Sequence, residues 1–165
     1  MNFNIIRIAR TVLNVKDLDR SKDFYVKALG MIETETKDDC VYLRGLEEHT
    51  HHSLVLKKSD RLGVHALGYK VEKDEDLDRL EELFQSKGLK TKWLNEGTQH
   101  ALGRALHVHD VSGLPLEFFS KIDKAERLIQ RYDLYTGARI QRIDHVNCAV
   151  PDVEKAYNFF INELG

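Results

Sequence analysis

The residues of this sequence best suited to chemistry are its histidines. His49 and His51 stand two apart, as do His107 and His109, so on a strand each pair shares one face and could share a Zn2+ or Ni2+ ion. The plainer reading of 49–52, which takes in His52, is a polar loop entering a strand, and it serves for the second pair as well. His145 follows Asp144 on a stretch rich in β-branched residues. One imidazole alone neither selects a metal nor fixes its geometry. Cys40 and Cys148 lie far apart with no CxxC spacing, which argues against a zinc knuckle or a disulfide framework and for a reducing cytoplasm. The sequence has no Gly-rich phosphate loop, HExxH, nucleophile elbow or basic–aromatic interleaving.

The elements that must position these side chains come from a repeat. Residues 5–30 laid over 140–165, an offset of 135, match at Ile5, Arg7, Ile8, Val15, Asp17, Phe24, Leu29 and Gly30. Each copy reads as a strand, a loop with a capping Asp, and a helix stopped by glycine. After the first copy, strands are expected at 31–36, 40–43 and 53–56. A second unit of the same kind follows: a strand at 63–71, a helix at 74–87 with Leu77, Leu80, Leu83 and Phe84 on one face, and strands at 89–94, 104–109 and 114–120. The charged run over 72–82 is then the solvated face of that helix.

The expected fold is therefore α+β: paired βαβββ modules with the first strand and helix of a third module. The domain reading is residues 1–121 as one domain of two modules, 122–137 as a connector, helical from 123 to 132, and 138–165 as the start of another domain. A lone strand and helix cannot satisfy a sheet edge, so the last segment is expected to pack on a neighbouring chain or to belong to a longer protein. The net charge of −2 gives no pull toward nucleic acid or anionic lipid. The short apolar run at Ile5 and Ile6, broken by Arg7, suits neither a signal peptide nor a membrane span.

Three strings carry a resemblance: 8–15 (IARTVLNV) with Asp17-Leu18, 109–117 (HDVSGLPLE), and 142–147 (RIDHVN) with 150–153 (VPDV). Along its whole length the chain resembles the extradiol ring-cleaving dioxygenases, the catechol 2,3- and homoprotocatechuate 2,3-dioxygenase group of the vicinal-oxygen-chelate, glyoxalase-like superfamily. The resemblance implies a non-catalytic first domain and an iron centre in the second. It makes His145 the first ligand of Fe(II), with Mn(II) as the alternative metal, and Asn147 a substrate-side residue beside it. The first-domain counterparts of the ligand positions are Arg10, His65 and Glu117. The cation at position 10 would repel a metal, so this set is expected to be vestigial, its members pairing with one another. Adding the offset to His65 and Glu117 puts the remaining ligands at about 200 and about 252.

Two histidines and a carboxylate on one face of an octahedral Fe(II) leave three positions open, enough for both oxygens of a catechol and for O2. The implied partners are therefore a small aromatic diol and O2, with a homo-oligomeric assembly and no nucleic acid or membrane. On its own, the chain is expected to be inactive. Two rival readings use the same fold: a ligand-sequestering protein of the bleomycin-resistance type, and a glyoxalase-like metal isomerase. The first would end near Lys121, and Arg10 speaks against the second.

Overall fold

A computed structural model describes residues 2–165. Among them are eight strands: β1 (Ile5–Val15), β2 (Ile32–Lys37), β3 (Cys40–Arg44), β4 (Leu54–Lys58), β5 (Gly63–Val71), β6 (Thr91–Leu94), β7 (Ala105–His109) and β8 (Pro115–Phe119). The helices are α1 (Leu18–Asp23), α2 (Glu75–Ser86) and α3 (Val153–Asn158). The first and last run on as π-helical turns, Phe24–Ala28 and Phe159–Leu164. No helix among the described residues is long and apolar enough to cross a membrane. The chain forms two compact units, one of residues 9–66 and 122–144, the other of residues up to Ile8, 67–121 and 145–165.

In the first unit β2, β3 and β4 form an antiparallel meander and β4 pairs in parallel with β1, Thr11 opposite Leu54 and Leu13 opposite Leu56. Alternation sends Val41, Leu43, Leu54 and Leu56 to one face, where they bury with Met31 under Leu18, Tyr25 and Val26 of the α1 segment. Val12, Tyr42 and Val55 occupy the opposite face and are buried too. A strand covered on both sides is a place where polar side chains must find partners. Asp17 caps α1, its carboxylate accepting from the Arg20 amide at 2.9 Å. Gly30, at φ +73°, ends the turn, and a Cβ there would collide with the Thr136 carbonyl oxygen.

In the second unit β5 pairs in parallel with β8, and β8, β7 and β6 run antiparallel. The connectivity is therefore the same βαβββ pattern, as the sequence predicts. Leu77, Leu80 and Phe84 of α2 are fully buried against Leu106, Val108, Leu116 and Phe118. Burying a side chain of this size contributes roughly 2–3 kcal/mol. Asp74, just ahead of α2, accepts from Ser120 Oγ at 2.7 Å and from Arg104 Nε at 2.7 Å. Arg104 also grips Asp78 through both terminal nitrogens and lies 4.6 Å from the Trp93 ring centre.

Two local expectations change. The connector over 123–132 is not a helix. Lys124 makes an antiparallel bridge with Thr50, His51 N donates to Asp123 O, and Ala125 N donates to His49 O. Its backbone is satisfied sideways along 49–51, and Gln130, at φ +66°, interrupts any helical run. The regular structure it holds is the single 3-10 turn Tyr132–Leu134. Residues 140–150, the head of the third copy, carry no strand ladder, although the helix after them forms. A strand needs a paired neighbour, and here Ile140 and Gln141 carbonyls instead accept from Leu46 N and Glu47 N in a loop of the first unit. The α3 segment buries part of its apolar side within its own unit, while Val153, Tyr157 and Ile161 stay exposed. Ala156, Phe159 and Leu164 are buried, the last two in the core of the second unit, and Glu163 pairs with Lys87 at 2.7 Å.

Candidate functional site

The segment after Asp144 alternates as an extended chain must. Val146, Cys148 and Val150 turn inward and line an apolar cavity of about 330 Å3 with Leu67, Tyr69 and Phe160. Burial, and then the charge of Asp110, push the Cys148 thiol above its ordinary pKa. Burial likewise raises the Tyr69 hydroxyl to about 12. His145 and Asn147 occupy the alternate positions and are exposed. An exposed imidazole next to a carboxamide offers one nitrogen ligand and one hydrogen-bonding group. His145 thus fits as one member of a metal donor set, and by itself it does not make a complete one.

The first-domain positions are Arg10, His65 and Glu117. Arg10 is 3% exposed. Its guanidinium Nη1 lies 3.0 Å from His52 Nε2, His52 Nδ1 lies 3.0 Å from His51 Nδ1, and His51 Nε2 lies 3.2 Å from Glu35 Oε2. An arginine can only donate, so His52 accepts at Nε2 and carries its proton on Nδ1. That proton goes to His51 Nδ1, and His51 donates from Nε2 to the Glu35 carboxylate. The direction of the whole chain follows from Arg10. Both rings also stand edge-on to Tyr42, whose hydroxyl is raised to about 12 by burial and then by Cys40. A metal on His52 Nε2 would need the lone pair at which the Arg10 protons point, so the Arg10–His52 end of the chain does not fit a cation, whereas His51 Nε2 and the Glu35 carboxylate are groups of the kind that can ligate one.

His65 is exposed at the start of β5. Glu117 is 0% exposed on β8, where its Oε2 accepts from Gln99 Nε2 at 2.6 Å and from His107 Nε2 in a short contact. His107 stands directly opposite Glu117 in the β7–β8 ladder, and His109 opposite Pro115. The His107–His109 pairing considered from spacing is therefore a His107–Glu117 pair across strands. Sequence reading alone misses His52, Gln99 and Glu35 as partners. The His107–Glu117 pair, by contrast, could have been found from the turn at 110–113, because a hairpin centred there places 107 against 117.

Two βαβββ units of identical connectivity, one with a buried Arg and one with a buried Glu on strands where metal ligands are expected, define a fold that hosts small-molecule sites. The chain belongs to the Glyoxalase/Bleomycin resistance protein/Dioxygenase superfamily, whose family model matches residues 7–118. It is similar to homoprotocatechuate 2,3-dioxygenase from Arthrobacter globiformis, at 38% identity and a TM-score of 0.91 over 95% of this chain and 49% of that one. The 3,4-dihydroxyphenylacetate complex of homoprotocatechuate 2,3-dioxygenase from Brevibacterium fuscum gives 37% and 0.93, over 99% of this chain and 51% of that one. Manganese-dependent 2,3-dihydroxybiphenyl 1,2-dioxygenase from Geobacillus genomosp. 3 is 22% identical over 100% of this chain and 55% of its own length. Metapyrocatechase from Geobacillus stearothermophilus is 25% identical over 99% and 52%. The chain spans about half the length of the curated relatives it matches.

Proposed function

We propose that this chain is the N-terminal part of an extradiol dioxygenase that opens the ring of a catechol, such as catechol itself or 3,4-dihydroxyphenylacetate, beside its diol. The observation that carries the reading is the third copy of the repeat, which puts His145 at the offset-135 counterpart of Arg10. Relatives named as dioxygenases, one of them manganese-dependent, and solved homoprotocatechuate 2,3-dioxygenases alike at 37–38% identity support it. Residues 1–121 are then the non-catalytic domain, 122–137 the connector and 138–165 the head of the catalytic domain.

In this reading His145 is one ligand of Fe(II), or of Mn(II). Asn147, on the same side of the extended segment, orients the substrate with its carboxamide. A bound Fe(II) supplies a Lewis-acidic centre that lowers the pKa of a chelated diol. Arg10 and Glu117 hold the first domain together and do not take a metal. The protein works as a cytoplasmic homo-oligomer, which sedimentation of the purified protein checks.

The test is to read the gene beyond the codon for Gly165, express the whole product, and add Fe(II), air and either catechol or 3,4-dihydroxyphenylacetate. A yellow ring-opened product, lost in His145→Ala, is the expected result. Tight catechol binding with neither colour nor oxygen uptake would sink the reading in favour of a sequestering protein.

A further inference from the structure

Glu48 is a buried carboxylate that the proposed chemistry leaves unused. It is 6% exposed and accepts three hydrogen bonds. Oε2 takes the Gly45 amide at 2.7 Å and, in a short contact, the Ser53 hydroxyl; Oε1 takes the Ile143 amide at 3.1 Å. Several further contacts press residues 140–142 to the same loop. Leu46 N donates to Ile140 O at 3.1 Å, Glu47 N donates to Gln141 O at 3.0 Å, and Arg142 pairs with Glu47 at 3.4 Å. Gly45 lies so close to this segment that a Cβ there would collide with the Gln141 carbonyl and the Arg142 amide. Arg44, buried alongside, donates to the Glu126 carbonyl at 2.7 Å and so holds the preceding connector as well.

Residues 140–150 have no strand ladder to set their position. A ligand side chain must be held to within about 0.5 Å of its productive place. Two residues of chain span at most roughly 7 Å, so an anchor at Ile143 restricts where His145 can go. We infer that Glu48 is a positioning residue for His145, its carboxylate latching the head of the third copy at Ile143. This rests on the reading of His145 as a metal ligand.

A carboxylate suits the task because it is acceptor-only, and all three groups facing it are donors. In Glu48→Gln the amide keeps two of the three bonds when its oxygen stays at the Oε2 place. Its NH2 then faces the Ile143 N–H, donor against donor, and the segment at Ile143 is released while the loop stays held. Gly45→Ala reaches the same end from the other side by pushing Gln141 away. Ser53→Ala removes one donor from the same carboxylate and leaves Ile143 held.

The experiment uses the protein expressed from its whole gene and loaded with Fe(II). It measures amide exchange of peptides covering 140–147 and the rate of Fe(II) loss to a chelator. Both Glu48→Gln and Gly45→Ala are expected to speed exchange there and to speed Fe(II) loss about tenfold, the scale typical of disturbed ligand supports. Ser53→Ala is expected to lower stability with Fe(II) loss unchanged. Faster exchange with unaltered Fe(II) loss in both variants overturns the proposal, since the latch would then be structural only. Unaltered exchange overturns it as well. Failure of the unsubstituted protein to retain Fe(II) strikes the metal reading, and the positioning role falls with it, whatever the exchange data show.

Discussion

Glu117 shows what a buried charge requires at the scale of one side chain. Fully enclosed on β8, it takes donors from His107 and Gln99. Removing one partner of such a pair leaves a desolvated charge, which costs about 3 kcal/mol, whereas replacing both partners by apolar groups is often close to neutral. His107→Leu is therefore expected to lower the unfolding free energy in urea by about 3 kcal/mol. Adding Glu117→Leu to it should recover all but about 1 kcal/mol. Additive losses in that double-mutant cycle would mean that the two residues do not act as a pair. Glu117 and Arg10 stand out in the sequence through resemblance alone. Their partners do not, because His107 meets Glu117 only once the β7–β8 register is set, and His52 meets Arg10 across 42 residues of chain. Residue types were legible; the contacts were not.

At the scale of elements, α2 is the helix whose start is electrostatically fastened. Burial alone would raise the Asp74 pKa, but hydrogen bonds from Ser120 and Arg104 outweigh it and hold the carboxyl below its ordinary 3.8. A pKa depressed in the folded state stabilises the fold above the unfolded value, and that gain is lost as pH falls through the folded pKa. Asp74→Asn should therefore be less stable than the unsubstituted protein at pH 7. The gap between their urea midpoints should close as pH drops below 3.8. The side chain is 40% exposed, so added salt should narrow the gap as well. A gap independent of pH would show that Asp74 acts by shape rather than charge. The eight strands and the three helical stretches are readable from period and punctuation, as α2 with Leu77, Leu80 and Phe84 on one face illustrates. The connector was misread for a physical reason. A charged run has helical spacing whether or not a distant strand end, here Thr50, captures its backbone first.

For the whole molecule, the repeat separates what local sequence decides from what surroundings decide. At the offset of 135, Asp17 and Asp152 both cap a six-residue helix, and both helices pass into a π-helical turn at the same point, Phe24 and Phe159. Local structure is thus copied with the residues that encode it. Burial is not. Phe24 is 54% exposed, while its counterpart Phe159 is 4% exposed and stacks near Phe84 in the core of its unit. Conversely, Leu18 packs against the core of its own unit, while its counterpart Val153 is exposed. The same helix presents a different side in each copy, because its neighbours differ. Equivalent residues should then differ in their worth. Phe159→Ala is expected to cost about 3–4 kcal/mol, as a cavity in a packed core does. Phe24→Ala should stay within about 0.5 kcal/mol, as surface changes do. Urea unfolding of the two variants side by side decides it. Equal losses would mean that the α3 segment is not part of the core of its unit, and that the repeat governs packing as well as local structure.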